Sequence, residues 1–372
     1  MTLVAVKQPK RRERKKQYKR VKYLTTSFIS MCSIHVNIRN QYDAQSNKDI
    51  ISPTPSNCTF LTYLSCRRVL KNCHKIGEGV YGEVFLWRAR DGRARVLKIV
   101  PIAGNVKVNG ECQKDYHEII SEIVILIFCV VFLIRVCVYG SYPSRLLDLW
   151  DLYDECKGSE NDNPAILPID QHFIVLELAN AGQDLESYQF NNAEQAHALF
   201  LQVAYGLAVG EEAFQFEHRD LHWGNVLIAA VCTFKTSFTT FVVRGRSHRV
   251  ARCGVAATII DYSLSRVSLP LGAECAALYN DLAADDALFE AVGDYQFEVY
   301  RLMREKNDWK NFEPYTNILW LHYTVDKMIT ALRYKRINTK IHKQYIDKLK
   351  GIKDRILGYG SAALFVLTDH EK

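Results

Sequence analysis

A histidine, an arginine, an aspartate and, five residues after the aspartate, an asparagine stand between apolar flanks in the stretch FEHRDLHWGNVLI at 216–228. A solvated turn does not need so much polarity in so few positions. HRDLHWGN fits the pattern H-R-D-L-x-x-x-N, whose aspartate accepts the proton of an attacking hydroxyl and whose asparagine holds a metal ion. Asp220 and Asn225 are therefore candidates for a phosphoryl-transfer site, where oriented charges must be kept from free screening by water.

Other residues of matching chemistry lie on both sides of this stretch. Gly77, Gly79 and Gly82 spell G-x-G-x-x-G and precede Val84, and glycines let backbone N–H groups come close to a polyphosphate. The same spelling occurs in dinucleotide-binding turns, but there the loop opens a helix. EVFLWRA after Gly82 reads as a strand, which favours a phosphate flap. Lys98 in VLKIV lies on a predicted strand where its ammonium could reach phosphate oxygens, although a lone lysine also snorkels to solvent. Glu118 and Glu122 are four apart on one helix face, and either could pair with that lysine or face water. Downstream, the apolar strand ATIIDYSLS delivers Asp261 at its end, placed to coordinate magnesium. Asp261-Tyr262-Ser263 stands where D-F-G is usual, and Ser263 lacks glycine's freedom, which predicts a stiffer segment. No A-P-E follows.

These groups need elements to hold them. KIGEGVYGEVFLWRARDGRARVLKIV, from residue 75, alternates β-branched and aromatic residues around the glycines and around Asp91-Gly92, which predicts two strands, a hairpin turn and a third strand ending near Val100. Tyr116, Ile119, Ile120, Ile123 and Ile127 recur at helical spacing, predicting a helix over 115–127. The apolar run IVILIFCVVFLI at 123–134 is short for a membrane span and reads as a buried helix and strand. HFIVLEL at 172–178 is a further strand, and Gly182 ends it. Helical patterns follow at 193–214, 294–305, 314–332 and 340–357. Strands first and helices after give an α+β class with two lobes, 71–178 and 183–365, joined by a hinge at 179–182.

Residues 1–22 hold ten Lys/Arg against one acid, so the formal +7 of the 372-residue chain leaves the remainder at −2. The positive charge belongs to PKRRERKKQYKR at 9–20, the pattern of an import signal or a nucleic-acid arm, and the body does not depend on a basic surface. Residues 1–70 read as a basic, low-order region and linker. Eleven cysteines with no C-x-x-C pair suggest reduced thiols in a cytosolic or nuclear protein. The sequon at Asn57 is then a chance match. Nothing resembles a signal peptide.

Taken together, KIGEGVYGEVF, VLKIV, FIVLEL, FEHRDLHWGNVLI, IIDYSLSR, GDYQFEVYRLM and YTNILWLHYTVDKM resemble the haspin family, the atypical eukaryotic protein kinases of mitosis, over about residues 73–345. The resemblance implies a bilobal protein-kinase-like fold, with one regulatory helix in the β-rich lobe and a mainly helical second lobe. It implies that Lys98 pairs with Glu122 rather than Glu118, that Asp220 is the base, and that Asn225 and Asp261 hold magnesium. The nucleotide, ATP, would lie under Ile76, Gly77, Glu78, Gly79, Val80, Tyr81, Gly82 and Val84. Its adenine would be gripped by the backbone of Glu177, Leu178, Ala179, Asn180 and Gly182, with Asp184 near the ribose. The substrate implied is the third-position threonine of the core histone three tail, contacted by Asp285, Asp286 and His222, in a nuclear enzyme on mitotic chromosomes. The family is active without phosphorylation of its activation segment.

Three departures accompany the likeness. Residues 123–138 look shorter and more apolar than the family's, Ala287 stands where another acid is expected, and the family's long N-terminal region is mostly missing. The rival readings are a small-molecule phosphotransferase of similar fold, a pseudokinase scaffold and, from 123–134, a membrane protein. Oligomeric state has no signature in the sequence.

Overall fold

The computed structural model describes Leu64 and residues 71–88, 92–115, 133–231, 237–271, 274–283, 285–306 and 308–369. The basic run, Asp91, and the expected helix at 115–127 with Glu118 and Glu122 all lie outside the described residues, apart from Asp115.

Strands β1 (Cys73–Gly79), β2 (Gly82–Arg88), β3 (Ala94–Ile102), β4 (Leu133–Tyr139) and β5 (His172–Ala179) form one antiparallel sheet in the order β1-β2-β3-β5-β4. The period of two explains its two faces. Phe85, Leu97, Ile99, Phe173 and Val175 point to one side, where Leu146 and Leu149 of helix α1 (Ser144–Lys157) complete a small core. Val100, Ile102, Ile174 and Leu176 join the large core on the other side. Lys98, between Leu97 and Ile99, is thereby turned toward that second side. The apolar run that suggested a helix and a strand supplies β4 from Leu133 onward.

Gly182 turns the chain out of the sheet at φ +95°, and a Cβ there would lie 2.0 Å from the carbonyl oxygen of Ile228. It leads into β6 (Gln183–Asp184), which pairs with β8 (Val226–Ala230), itself paired with β11 (Val255–Ile259). The second half is less helical than its sequence suggested. Between Asn225 and α3 (Asp286–Glu290) lie three hairpins: β8 with β11, β9 (Phe238–Val243) with β10 (Arg246–Ala251), and β12 (Val267–Leu271) with β13 (Glu274–Leu278). The β9–β10 turn, Arg244-Gly245, has φ of +49° and +74°, the twist that two-residue hairpins require. Short β7 (Gln189–Phe190) pairs in parallel with β14 (Arg333–Tyr334).

Helix α2 (Ala193–Phe214) is capped by Asn192 and buried on most of its circumference, as a helix at the centre of a core must be. Around it lie α4 (Tyr295–Arg304), α5 (Tyr315–Thr330), α6 (Lys340–Ile356) and α7 (Ala362–Thr368), and the four helices expected from periodicity agree within two residues at each end. The C-terminal helices pack on this body through a polar junction. Glu211 of α2 accepts hydrogen bonds from the backbone N–H of Ala362 (3.0 Å) and Ala363 (2.8 Å) and from the Asn317 side chain (2.9 Å). Asn317 also donates to the Phe216 carbonyl (2.9 Å) and accepts from the His218 N–H (3.1 Å).

Asn317 thus satisfies the Phe216 carbonyl and the His218 N–H and adds a third bond to Glu211 in a site without solvent, being 0% exposed. Asn317→Ala is expected to cost about 2–4 kcal/mol. The check is urea unfolding: a lower midpoint with an unchanged slope is the expected outcome, and an unchanged midpoint would show the junction to be dispensable.

Candidate active site

Pairing between β8 and β11 decides the geometry of the acidic groups. Val226 faces Ile259, and the Ile260 N–H donates to the Asn225 carbonyl at 3.0 Å, continuing the ladder by one rung. Asn225 and Asp261 therefore emerge side by side from one end of a hairpin, although 36 positions separate them in the sequence.

The loop before Asn225 is held from beneath. His218 is fully buried; its Nδ1 accepts the Asp220 N–H (3.2 Å), so its Nε2 carries the proton and donates to the Ile260 carbonyl (3.0 Å). Burial pushes its imidazolium down to about 4, so the ring is a neutral spacer. Arg219 is also fully buried, at φ +66°. Its Nε and one terminal nitrogen donate to the two oxygens of Glu217 (3.1 Å each), and the other nitrogen donates to the Trp309 carbonyl (2.9 Å). Such a backbone conformation persists only where the surroundings over-determine it, and these bonds supply that determination.

Asp220 is the group so presented. One carboxylate oxygen accepts from the Tyr300 hydroxyl, and the other lies 3.3 Å from the Asn225 amide nitrogen, which also donates to the Asp220 carbonyl at 2.8 Å. Burial raises its carboxyl to about 7 and the nearby Asp261 charge adds to the rise, while the bonds from Tyr300 and Asn225 oppose it. Asp261 behaves in the opposite way. Burial works against its ionisation too, but the Lys98 ammonium and hydrogen bonds from Ser263 outweigh burial and hold its carboxyl below the ordinary range. Asp261 has φ +58°; Ser263 uses both its N–H and its hydroxyl on Oδ1, which leaves Oδ2 for a cation. Asn225, with its amide nitrogen committed to Asp220, offers Oδ1. Two hard oxygen donors suit magnesium, which keeps waters and takes its remaining ligands from phosphates. Among the described residues no cluster of three His, Cys, Asp or Glu side chains forms a self-sufficient metal site.

Tyr262 is buried at the aromatic position, against the rings of Phe216 and His218, and donates to the Ile259 carbonyl at 2.8 Å. The neighbouring Ser263 carbonyl is tied by Asn280. The segment is held on both sides by these bonds.

The glycine flap is the β1–β2 hairpin, with Gly79 paired to Gly82 across Val80-Tyr81. Its glycines do different work. A Cβ on Gly82 would lie 2.2 Å from the Ile99 carbonyl oxygen, so this position is small because β3 runs past it. A Cβ on Gly77 or Gly79 would meet nothing within 4 Å, and these two leave open the space a ligand would need. Val84 stands opposite Lys98 in the ladder and shares its face. Ile76 and Val80 are exposed, and Tyr81 lies under the Lys114 ammonium at 4.3 Å. The Glu78 carboxylate is engaged by Lys75, the Ser159 hydroxyl (2.7 Å) and the Glu160 N–H (2.8 Å), so only its backbone is available to a nucleotide.

At the expected hinge, Glu177 is buried with its carboxylate on Arg95 at 2.6 Å, while Leu178 and Ala179 continue the strand. The Asn180 side chain accepts the Gly182 N–H (3.0 Å), and Asp184 accepts that of Ser187 (2.7 Å). His222 accepts the Gly224 N–H (3.1 Å), and its Nε2 lies 3.9 Å from Asp220. Asp285 and Asp286 are exposed at the start of α3, where Asp285 caps the helix through the Leu288 N–H. Arg301 of α4 binds the carbonyls at the end of α3, so the acidic pair is mounted on the helix that carries Tyr300.

Tyr300 is a site residue that motif reading passed over. It lies in GDYQFEVYRLM, 80 positions after Asp220, and only packing against Trp320 at a centroid distance of 5.2 Å shows why its hydroxyl arrives at the carboxylate. Tyr300→Phe removes a donor that favours the ionised form, so the protonation midpoint of Asp220 is expected to move above its value of about 7. Infrared difference titration of the metal-free protein, with Asp220→Asn as the subtraction, reads this directly. A midpoint that stays in place would show that the hydroxyl does not bond the carboxylate.

The family described as "Haspin like kinase domain" matches residues 4–357, a wider span than the quoted motifs. The serine/threonine-protein kinase haspin homolog of Drosophila melanogaster is 44% identical over 322 residues, covering 79% of this chain and 55% of that protein. The serine/threonine-protein kinase haspin of Bos taurus is 38% identical over 331 residues, 84% of this chain and 41% of its own length. The Arabidopsis thaliana homolog is 36% identical over 309 residues, 77% of this chain and 48% of its own. The chain thus spans about half the length of the curated relatives it matches. With a family match across most of its residues, and relatives that agree with it at this level, the chain belongs to the haspin-like kinases.

Proposed function

We propose that the protein is a serine/threonine protein kinase that uses ATP and magnesium to phosphorylate the third-position threonine of the core histone three tail, in the nucleus and on mitotic chromosomes. The observation that carries this reading is the convergence of Asp220, Asn225 and Asp261 at one hairpin end, opposite the sheet face that bears Lys98. The two-lobed kinase arrangement accounts for the two hydrophobic cores and the hinge between them. Relatives named as serine/threonine-protein kinases support the reaction class.

In this mechanism the threonine hydroxyl approaches Asp220 and gives it its proton as the oxygen bonds the terminal phosphorus of ATP, while the bond from that phosphorus to the bridging oxygen breaks and ADP leaves with the electron pair. Lys98 would hold phosphate oxygens, with Asp261 keeping it in place by charge. Asn225 and Asp261 would hold magnesium, which neutralises charge on the transferring phosphoryl group. Transfer is direct, because no side chain of the constellation is a nucleophile placed to carry the phosphate. Arg219 accounts for activity without a phosphorylated segment. Its charge is already matched by Glu217 and its nitrogens are already bonded, so no phosphate is needed to hold the loop. The basic tail peptide is drawn by the exposed Asp285 and Asp286, with His222 near the acceptor. Residues 9–20 would serve an import receptor or nucleic acid.

Transfer of labelled phosphate to a histone three tail peptide tests the reading. Asp220→Asn is expected to lower kcat by about 10²–10⁴, and a peptide with valine at position three should accept nothing. Undiminished transfer by Asp220→Asn would remove the base from the mechanism. Asp285 has two roles, so its charge is tested by Asp285→Ser, which keeps the cap, together with Asp286→Asn. The double variant is expected to raise KM for the peptide several-fold with kcat preserved, and an unchanged KM would place the peptide elsewhere.

A further inference from the structure

A phosphate flap is ordinarily a mobile element with few contacts of its own, ordered by the nucleotide it covers. Here two successive carbonyls at the turn are occupied. The Asn161 side chain donates to the Gly79 carbonyl at 3.1 Å, and the Asn109 side chain donates to the Val80 carbonyl at 2.7 Å. The two asparagines come from separate segments, one after α1 and one in the turn before residue 111, and those segments bind each other. Asn109 N–H donates to the Asp162 carboxylate at 2.7 Å, and Asp162 N–H donates to the Asn109 side-chain oxygen at 2.6 Å.

The flap strands themselves are fixed to the same place. Lys75 of β1 has a fully buried side chain. It is paired with Glu78 and with Glu83 (2.8 Å), and its ammonium lies 4.1 Å and 5.2 Å from the ring centroids of Tyr153 and Trp150 on α1. Glu83 of β2 accepts from Asn161 at 2.9 Å, and Glu78 accepts from Ser159 and from the Glu160 N–H. One four-residue loop, 159–162, therefore reaches β1, β2, the flap turn and the Asn109 turn.

We infer that the loop 159–162 and Asn109 form a clamp that holds the flap over the site before a nucleotide arrives, so that Asn161 and Asn109 are positioning residues for nucleotide binding. The inference rests on the kinase reading above, because it takes the flap to cover ATP. Its physical content is preorganisation: a flap held in its binding conformation spares the ligand the fraction lost to open states, and releasing the flap lowers apparent affinity by that fraction. The clamp acts on the phosphate end alone, leaving the Asp220 loop unchanged.

Two measurements on the whole chain test this. Asn161→Ala is combined with Asn109→Gly, since Asn109 sits at φ +55° and glycine keeps that backbone while removing the amide. In the nucleotide-free protein, hydrogen exchange at residues 77–84 is expected to accelerate in the double variant, while exchange at 216–225 stays as in the parent. Magnesium-ATP is expected to bind about tenfold more weakly, the scale of two lost hydrogen bonds, with KM for ATP raised and kcat retained. If the parent binds ATP and the double variant matches it in affinity and flap exchange, the clamp is refuted and the kinase reading stands. If the parent does not bind ATP, the kinase reading fails and the inference fails with it. A variant whose exchange rises over the whole chain would show a merely structural role, and would also refute the clamp.

Discussion

A guanidinium with no exposure to water must be matched locally, and in this protein nearly everything around the catalytic loop is arranged to match Arg219. Glu217 supplies the charge, Trp309 a carbonyl, and Glu217 in turn takes the Glu313 N–H and the Thr316 hydroxyl at the start of α5. The pair is expensive to bury and more expensive to break, since removing one partner leaves an uncompensated charge, on the order of 3–5 kcal/mol. That penalty fixes where α5 begins relative to the loop, and it sustains the left-handed backbone that aims Asp220 at the cleft. The Glu217–Arg266 backbone bridge carries the same restraint into the segment after Asp261.

Around that anchor the charges are sorted by environment rather than by residue type. Asp220 and Asp261 are both half-buried aspartates, yet one is driven toward neutrality and the other is kept ionised, because Lys98 acts on Asp261 while Asp220 meets a hydroxyl and an amide. The proposed base and the proposed metal ligand would need different proton affinities, and the surroundings of the two carboxylates supply such a difference.

How far the sequence revealed this depends on how local each feature is. HRDLHWGN, the glycine cluster, Lys98 and Asp261 are legible because each lies on a short stretch whose pattern follows from its own strand or turn, and the helices at 193–214 and 340–357 follow from a long, regular period. Asn161 and Asn109 were not legible. Their roles depend on contacts 82 and 29 positions distant, and an asparagine in a polar loop looks like any other. Tyr300 was hidden in the same way, inside a helix where an aromatic reads as core. The β9–β10 hairpin has no counterpart among the expected elements, since its strands are half-exposed and the alternation of their residues is weak. Glu122 has its case in the sequence alone, because it lies outside the described residues.

The Glu211 junction bears on how the chain is made. Its carboxylate is buried in α2, yet two of its hydrogen-bond donors are the N–H groups of residues 362 and 363. A ribosome releases the chain from its N-terminus, so α2 and the HRD loop are synthesised more than a hundred residues before two of the three groups that satisfy Glu211. Until then this carboxylate of the forming core has, of the three, Asn317 alone. Helix α7 therefore acts as a closing piece, since the packing around Glu211 is complete only after residues 362 and 363 have been made.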